Sequence, residues 1–180
     1  MTNTQRPYTG FDKVGTETHP AAKKLADLLH RRHAMTYMGG LSVRVMRSAP
    51  AAIQKLPPTD PKCIPYMSVH SCGRAVDVGL PDGTPDIAKK LTEIADYLVA
   101  NADEFFLEEV HEYSWRNPKA AKGSKVWGRG FRTSRAKKDS GWLPWDAQNN
   151  GGTPGGLWLH YEVAANADPV KIEAHFRATK

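Results

Sequence analysis

His70, Asp77 and His160 are the residues around which chemistry can be built in this chain. From Arg74 onward the sequence reads as an apolar strand ending near Leu80, yet Asp77 sits in its middle. Aspartate is depleted in strands, and a buried carboxylate is costly unless it is paired or bound to a metal. Something must therefore compensate that charge. Gly73 permits a tight backbone turn between His70 and the strand, so two side chains seven residues apart can converge. On a continuous helix the same spacing would separate them by ~10 Å, against the ~2 Å reach of zinc ligands. Far downstream, Trp158-Leu-His-Tyr-Glu162 alternates in strand fashion and puts Trp158, His160 and Glu162 on one face, which makes His160 the natural third ligand. Two histidines and one carboxylate with a fourth position open form a recognised catalytic zinc arrangement, whereas structural zinc sites are closed and usually cysteine-rich. Each histidine alone reads as an ordinary surface or hydrogen-bonded residue; the combination carries the expectation of zinc.

The pattern Ser-x-His-x-x-Gly-x-Ala-x-Asp, running from Ser68 to Asp77, resembles the signature of the zinc D-alanyl-D-alanine carboxypeptidases and dipeptidases. The same signature marks the related phage L-alanyl-D-glutamate endopeptidases, which share a fold with the lysostaphin-type enzymes and the hedgehog signalling domain. Every fixed position is present, and the resemblance spans residues 40 to 164. It implies that His70 and Asp77 are zinc ligands, that His160 in Leu-His-Tyr-Glu is the third, and that the substrate is a peptidoglycan stem peptide. It also implies an upstream arginine that stabilises the scissile carbonyl as charge develops, in the manner of an oxyanion hole. Arg47 is the best match for that residue and Arg44 the second.

The resemblance breaks at the general base. The family places Asp or Glu three residues before the last zinc-binding histidine, or a histidine two residues before it; here those positions are Leu157 and Trp158. Neither takes a proton, and loss of a general base costs ~10²–10⁴-fold in rate. Asp146, Glu109 and Glu162 are the carboxylates that could substitute, and Glu162 is also placed to orient His160 by a hydrogen bond. His111, in Glu109-Val-His-Glu-Tyr113, is a further candidate, although its pattern reads as a surface strand histidine. A catalytically silent relative, keeping the metal for structure or wall binding, is the alternative reading.

The elements that must position these residues follow from periodicity and punctuation. Thr18-His-Pro20, followed by Leu25, Leu28 and Leu29, predicts a helix with Thr18 as its cap. Residues from Leu41 to Arg47 alternate and predict a strand, after which five prolines impose an irregular loop. Thr84-Pro85-Asp86 precedes Ile87, Leu91, Ile94, Leu98 and Val99 at helical spacing. Phe105 to Tyr113 and Trp158 to Val163 predict further strands, and Asp168-Pro169 opens a last helix carrying Ile172 and Phe176. Residues 116–157 are rich in Gly, Lys, Arg and Trp and predict long loops. Strands around separate helices, without βαβ alternation, predict an α+β fold: one small, mostly antiparallel sheet carrying the zinc site, flanked by helices and long loops.

Composition sets the outer bounds. A chain of 180 residues fits one domain over residues 1–180, and 40% hydrophobic with 24% charged residues is ordinary globular usage, which argues against disorder. No apolar run approaches the ~20 residues of a membrane span. The first residues lack the apolar core of a secretory signal, so the expected location is the cytoplasm of the producing cell, with release on lysis or virion association if the protein is a phage lysin. Cys63 and Cys72 are too few for a disulfide framework and read as thiols. The net charge of +6 is concentrated: nine Lys or Arg and no acid lie between Arg116 and Lys138. Such a stretch fits a polyanionic partner or a solvated surface. With Trp115, Trp127, Trp142 and Trp145 interleaved, it also leaves nucleic-acid binding open.

Overall fold

A computed structural model describes residues 7–118, 127–133, 142–144, 153 and 155–179. Helix α1 spans Pro20–His33 and buries Ala21, Ala22, Leu25, Leu28 and Leu29. Its cap is His19, one residue later than the sequence predicts, with Nδ1 accepting from the Ala21 N–H at 3.2 Å. Thr18 is used otherwise: its hydroxyl accepts from the Leu41 N–H at 3.2 Å and ties the helix entry to the chain beyond the first strand. A short helix α2 covers Ala51–Gln54 within the proline-rich loop. Helix α3, Ile87–Ala100, buries Leu91, Ile94, Leu98 and Val99 as their spacing predicts. Asp86 precedes it in a left-handed conformation and makes no side-chain cap. Helix α4, Pro169–Ala178, is capped by Asp168, which accepts from the N–H groups of Val170 and Lys171, and it buries Ile172 and Phe176.

Six strands form one sheet: β1 Thr36–Gly39, β2 Ala75–Gly79, β3 Leu107–Glu112, β4 Arg129–Arg132, β5 Trp142–Pro144 and β6 Trp158–Val163, in the order β1-β2-β6-β3-β4-β5. Every pairing is antiparallel, so the chain is α+β with an antiparallel sheet. Two expectations need correction. Residues 41–47 are not a strand: the chain beside them is extended only at Met67 and Ser68, between two 3₁₀ turns, and supplies a single antiparallel bridge, Val45 to Met67. Their backbone instead bonds irregularly, with Ser42 N–H to His70 O at 3.1 Å, Met46 N–H to Tyr66 O at 2.7 Å and Ser68 N–H to Arg44 O at 3.0 Å. Within residues 116–157, the described parts include β4 and β5, which pair beside β3, rather than loops alone.

The sheet has two faces of different chemistry. Val76, Val78, Leu107, Val110, Phe131, Leu159, Tyr161 and Val163 pack with α1, α3 and α4 into the core. Asp77, Glu109, His111, Arg132, His160 and Glu162 line a cleft on the opposite face. A bulge in β3 makes this division possible. Leu107 pairs with Val163 and Glu109 with Glu162, leaving Glu108 as an extra residue. Because side chains alternate with period two, that insertion turns Glu109 and His111 toward the cleft and keeps Leu107 and Val110 in the core.

Candidate metal centre

The residues Val69–Cys72 form a 3₁₀ turn whose start is held by the Ser68 hydroxyl accepting from the His70 N–H at 3.3 Å. Gly73 ends the turn at φ 73°, and a Cβ there would sit 2.1 Å from the Glu17 carbonyl oxygen, so only glycine fits. The turn delivers His70 beside β2. Its Nδ1–H donates to the Gly40 carbonyl at 2.7 Å, which leaves Nε2 as a lone pair. That Nε2 is buried without a hydrogen-bond partner and lies 3.4 Å from Asp77 Oδ2. Asp77 pairs directly with His160 across β2 and β6, and its Oδ1 lies 2.9 Å from His160 Nδ1. His160 Nε2 meets Glu162 Oε1 at 3.1 Å.

These contacts test whether a metal fits. Three ligands each ~2 Å from one ion stand roughly 3–3.5 Å apart. The ligand atoms of His70, Asp77 and His160 all lie within 4.8 Å of one another, so this group could hold a metal ion. The hydrogen bonds set the tautomers such a site needs: Gly40 fixes His70 from behind, and Glu162 accepts from Nε2–H of His160, which turns Nδ1 toward Asp77. The buried Nε2 of His70 carries a lone pair facing a carboxylate, and a cation between them removes that conflict. A proton is a second cation that can compensate these carboxylates. Burial opposes a charge on His160, but the Asp77 and Glu162 carboxylates outweigh it and push its pKa up to about 10. Burial likewise opposes ionisation of Asp77, yet the His160 ring hydrogen-bonded to it holds its carboxyl well below the usual range.

No family model, curated protein or solved structure matches the chain. What the site can do is therefore read from its own geometry. The cleft lined by the three residues measures about 580 Å³. His111, expected on the surface, is buried in its wall, with its ring centroid 4.9 Å from that of His160. Its Nε2 lies 3.2 Å from Glu109 Oε1 and its Nδ1 lies 3.1 Å from the Tyr113 hydroxyl. Glu109 is clamped by Arg132, whose Nε and Nη2 donate at 2.8 and 3.0 Å. Burial opposes the Glu109 charge, while the Arg132 guanidinium gripping both its oxygens holds its carboxyl below the ordinary range. Burial lowers the pKa of His111 against the pull of Glu109, which favours the neutral ring.

The remaining sequence candidates divide. Arg44 and Arg47 both line the cleft, and the Arg44 charge bears on the Tyr113 hydroxyl. Glu162 lies in the cleft but is committed to His160. Leu157 is 46% exposed and does not line the cleft, whereas Trp158 does, its ring centroid 4.6 Å from that of Tyr113 at a tilt of 35°. Asp146 and Trp145 lie outside the described residues. Of the basic stretch, Arg129 pairs with Glu112 and Asp96 at 2.7 Å each, and Arg132 is spent on Glu109. Trp142 and Trp127 lie under Arg129 and Arg116. Tyr8, Tyr113 and Arg132 are cleft residues that the sequence reading missed; Tyr113 follows His111 closely, while Tyr8 is far from every motif.

Proposed function

We propose that the protein is a zinc-dependent peptidase acting on D-amino-acid-containing stem peptides of peptidoglycan. The observation that supports this most is the convergence of one carboxylate and two imidazoles, each with its rear nitrogen hydrogen-bonded, in the lining of that cleft. His70, Asp77 and His160 would hold the metal, and zinc there supplies Lewis acidity toward a substrate carbonyl and toward the attacking water. His111 takes the proton role that Leu157 and Trp158 vacate: burial favours its neutral ring, its Nε2 lies 3.2 Å from Glu109, and it stands beside His160. Tyr113 presents a hydroxyl to the cleft from the other side of His111. Arg44 and Arg47 line the cleft as cations able to meet developing negative charge on the substrate.

The test incubates zinc-loaded protein with purified peptidoglycan and identifies new amine and carboxyl ends. New ends within the stem peptide, together with a ~10²–10⁴-fold loss of turnover in His111→Ala at unchanged zinc content, support the reading. No hydrolysis above buffer by fully loaded protein overturns it in favour of a silent metal-holding relative. Hydrolysis untouched by His111→Ala moves the base elsewhere, with Glu162→Gln and Asp146→Asn as the next variants.

A further inference from the structure

The first described residues of the chain are fastened to the metal-bearing turn and to the β3 bulge. Arg74, 2% exposed, donates to the Gly10 carbonyl and to the Val163 carbonyl, and its guanidinium lies 3.4 Å from Glu108 and 3.8 Å from Asp12. Thr9 donates to the same Glu108 carboxylate from its N–H at 3.2 Å and from its hydroxyl. Farther on, Gly15 N–H reaches Ser71 O and His19 N–H reaches Gly73 O, both at 2.8 Å. A Cβ at Gly15 would stand 2.7 Å from the Cys72 carbonyl oxygen, so the strap lies directly on the turn. This course brings Tyr8 and Phe11 into the cleft wall.

Tyr8 lies between Glu162, to which its hydroxyl hydrogen-bonds, and Arg132. Its ring centroid lies 4.0 Å from the Arg132 guanidinium carbon. Arg132 is the fork that grips both oxygens of Glu109, and Glu109 Oε1 stands 3.2 Å from His111 Nε2. The two partners differ in exposure, Glu109 at 2% and Arg132 at 32%, so the pair depends on what covers the arginine. An ion pair open to water holds its geometry weakly, and an aromatic face over a guanidinium both attracts the cation and excludes water.

We propose that Tyr8 is a positioning residue of this site: its ring covers Arg132 and so fixes the Glu109 carboxylate that faces His111. The consequence for turnover rests on the peptidase reading; the effect on Arg132 does not. The probe is exchange of the Arg132 Nε–H with water, read by NMR in the full-length zinc-loaded protein, with the 71%-exposed Arg177 as internal reference. In the wild-type protein the Arg132 proton exchanges at least about tenfold more slowly than that of Arg177. Tyr8→Ala removes most of that difference and Tyr8→Phe keeps it, since the ring and not the hydroxyl does the covering. Wild-type exchange as fast as at Arg177 overturns the proposal without any variant having to fold, and so does Tyr8→Ala with unchanged exchange. In the hydrolysis assay, Tyr8→Ala lowers kcat about tenfold with KM within about twofold and zinc content unchanged, and Tyr8→Phe restores it. A wild-type protein without hydrolysis sinks the peptidase reading alone, while the exchange measurement still decides the role of Tyr8.

Discussion

At the scale of single residues, the pairing of His160 with two carboxylates makes a metal and a proton competitors for one place. In metal-free protein the His160 ring is charged, with a pKa of about 10 when folded, against roughly 6.5 when unfolded. The folded state then holds more protons than the unfolded state between those values. The stability this contributes is complete below about pH 6.5 and drains away as pH rises toward 10. Thermal unfolding of chelator-treated protein should therefore show a midpoint falling across that window, and zinc-loaded protein should lack the decline. Zinc uptake at pH 7 should release about one proton, measured by calorimetry in buffers of different ionisation enthalpy, with about one zinc bound per chain and none in His70→Ala or Asp77→Ala. A flat apo profile with no proton release would remove the charged ring from the account.

At the scale of elements, the turn that carries His70 is the most exacting. Gly73→Ala forces a side chain into a left-handed residue and against the Glu17 carbonyl, so it should cost about 1–3 kcal/mol or more in urea unfolding and weaken zinc binding, because His70 moves with the turn. Tolerance of alanine without loss of zinc would show that the turn is not what places His70. This part of the site was legible in the sequence, since Ser68, His70, Gly73 and Asp77 lie within ten residues of one another and each residue type declares its role. His160 and Glu162 were legible too, because strand alternation puts both on one face. His111 was not: in Glu109-Val-His-Glu the alternation is plain, but which half of it faces inward depends on the bulge at Glu108, and that depends on Arg74, which comes from another strand's entry. Residues 41–47 misled for a related reason, having a strand's alternation but no strand beside them.

At the scale of the whole molecule, Arg74 is the point where distant parts meet: the N-terminal strap, the β3 bulge and the end of β6 all bond to it. Removing one partner of a buried ion pair leaves the other uncompensated, so Arg74→Met should cost about 3–5 kcal/mol in denaturant unfolding. A loss under about 1 kcal/mol would mean that Glu108 finds other support. Among the described residues no helix is long and apolar enough to cross a membrane. The basic stretch is in part internal, since Arg129 and Arg132 neutralise acids of β3, so its charge overstates what is offered to a polyanion. The bulge, finally, gives β3 a parity. Odd-numbered Leu107 belongs to the core, odd-numbered Glu109 and His111 to the cleft, and the change of sense happens at one residue. A gain or loss of one residue in this strand would send Val110 to the cleft and His111 into the oil, whatever the amino acids. The strand can absorb many substitutions, but its length carries information that no single side chain holds.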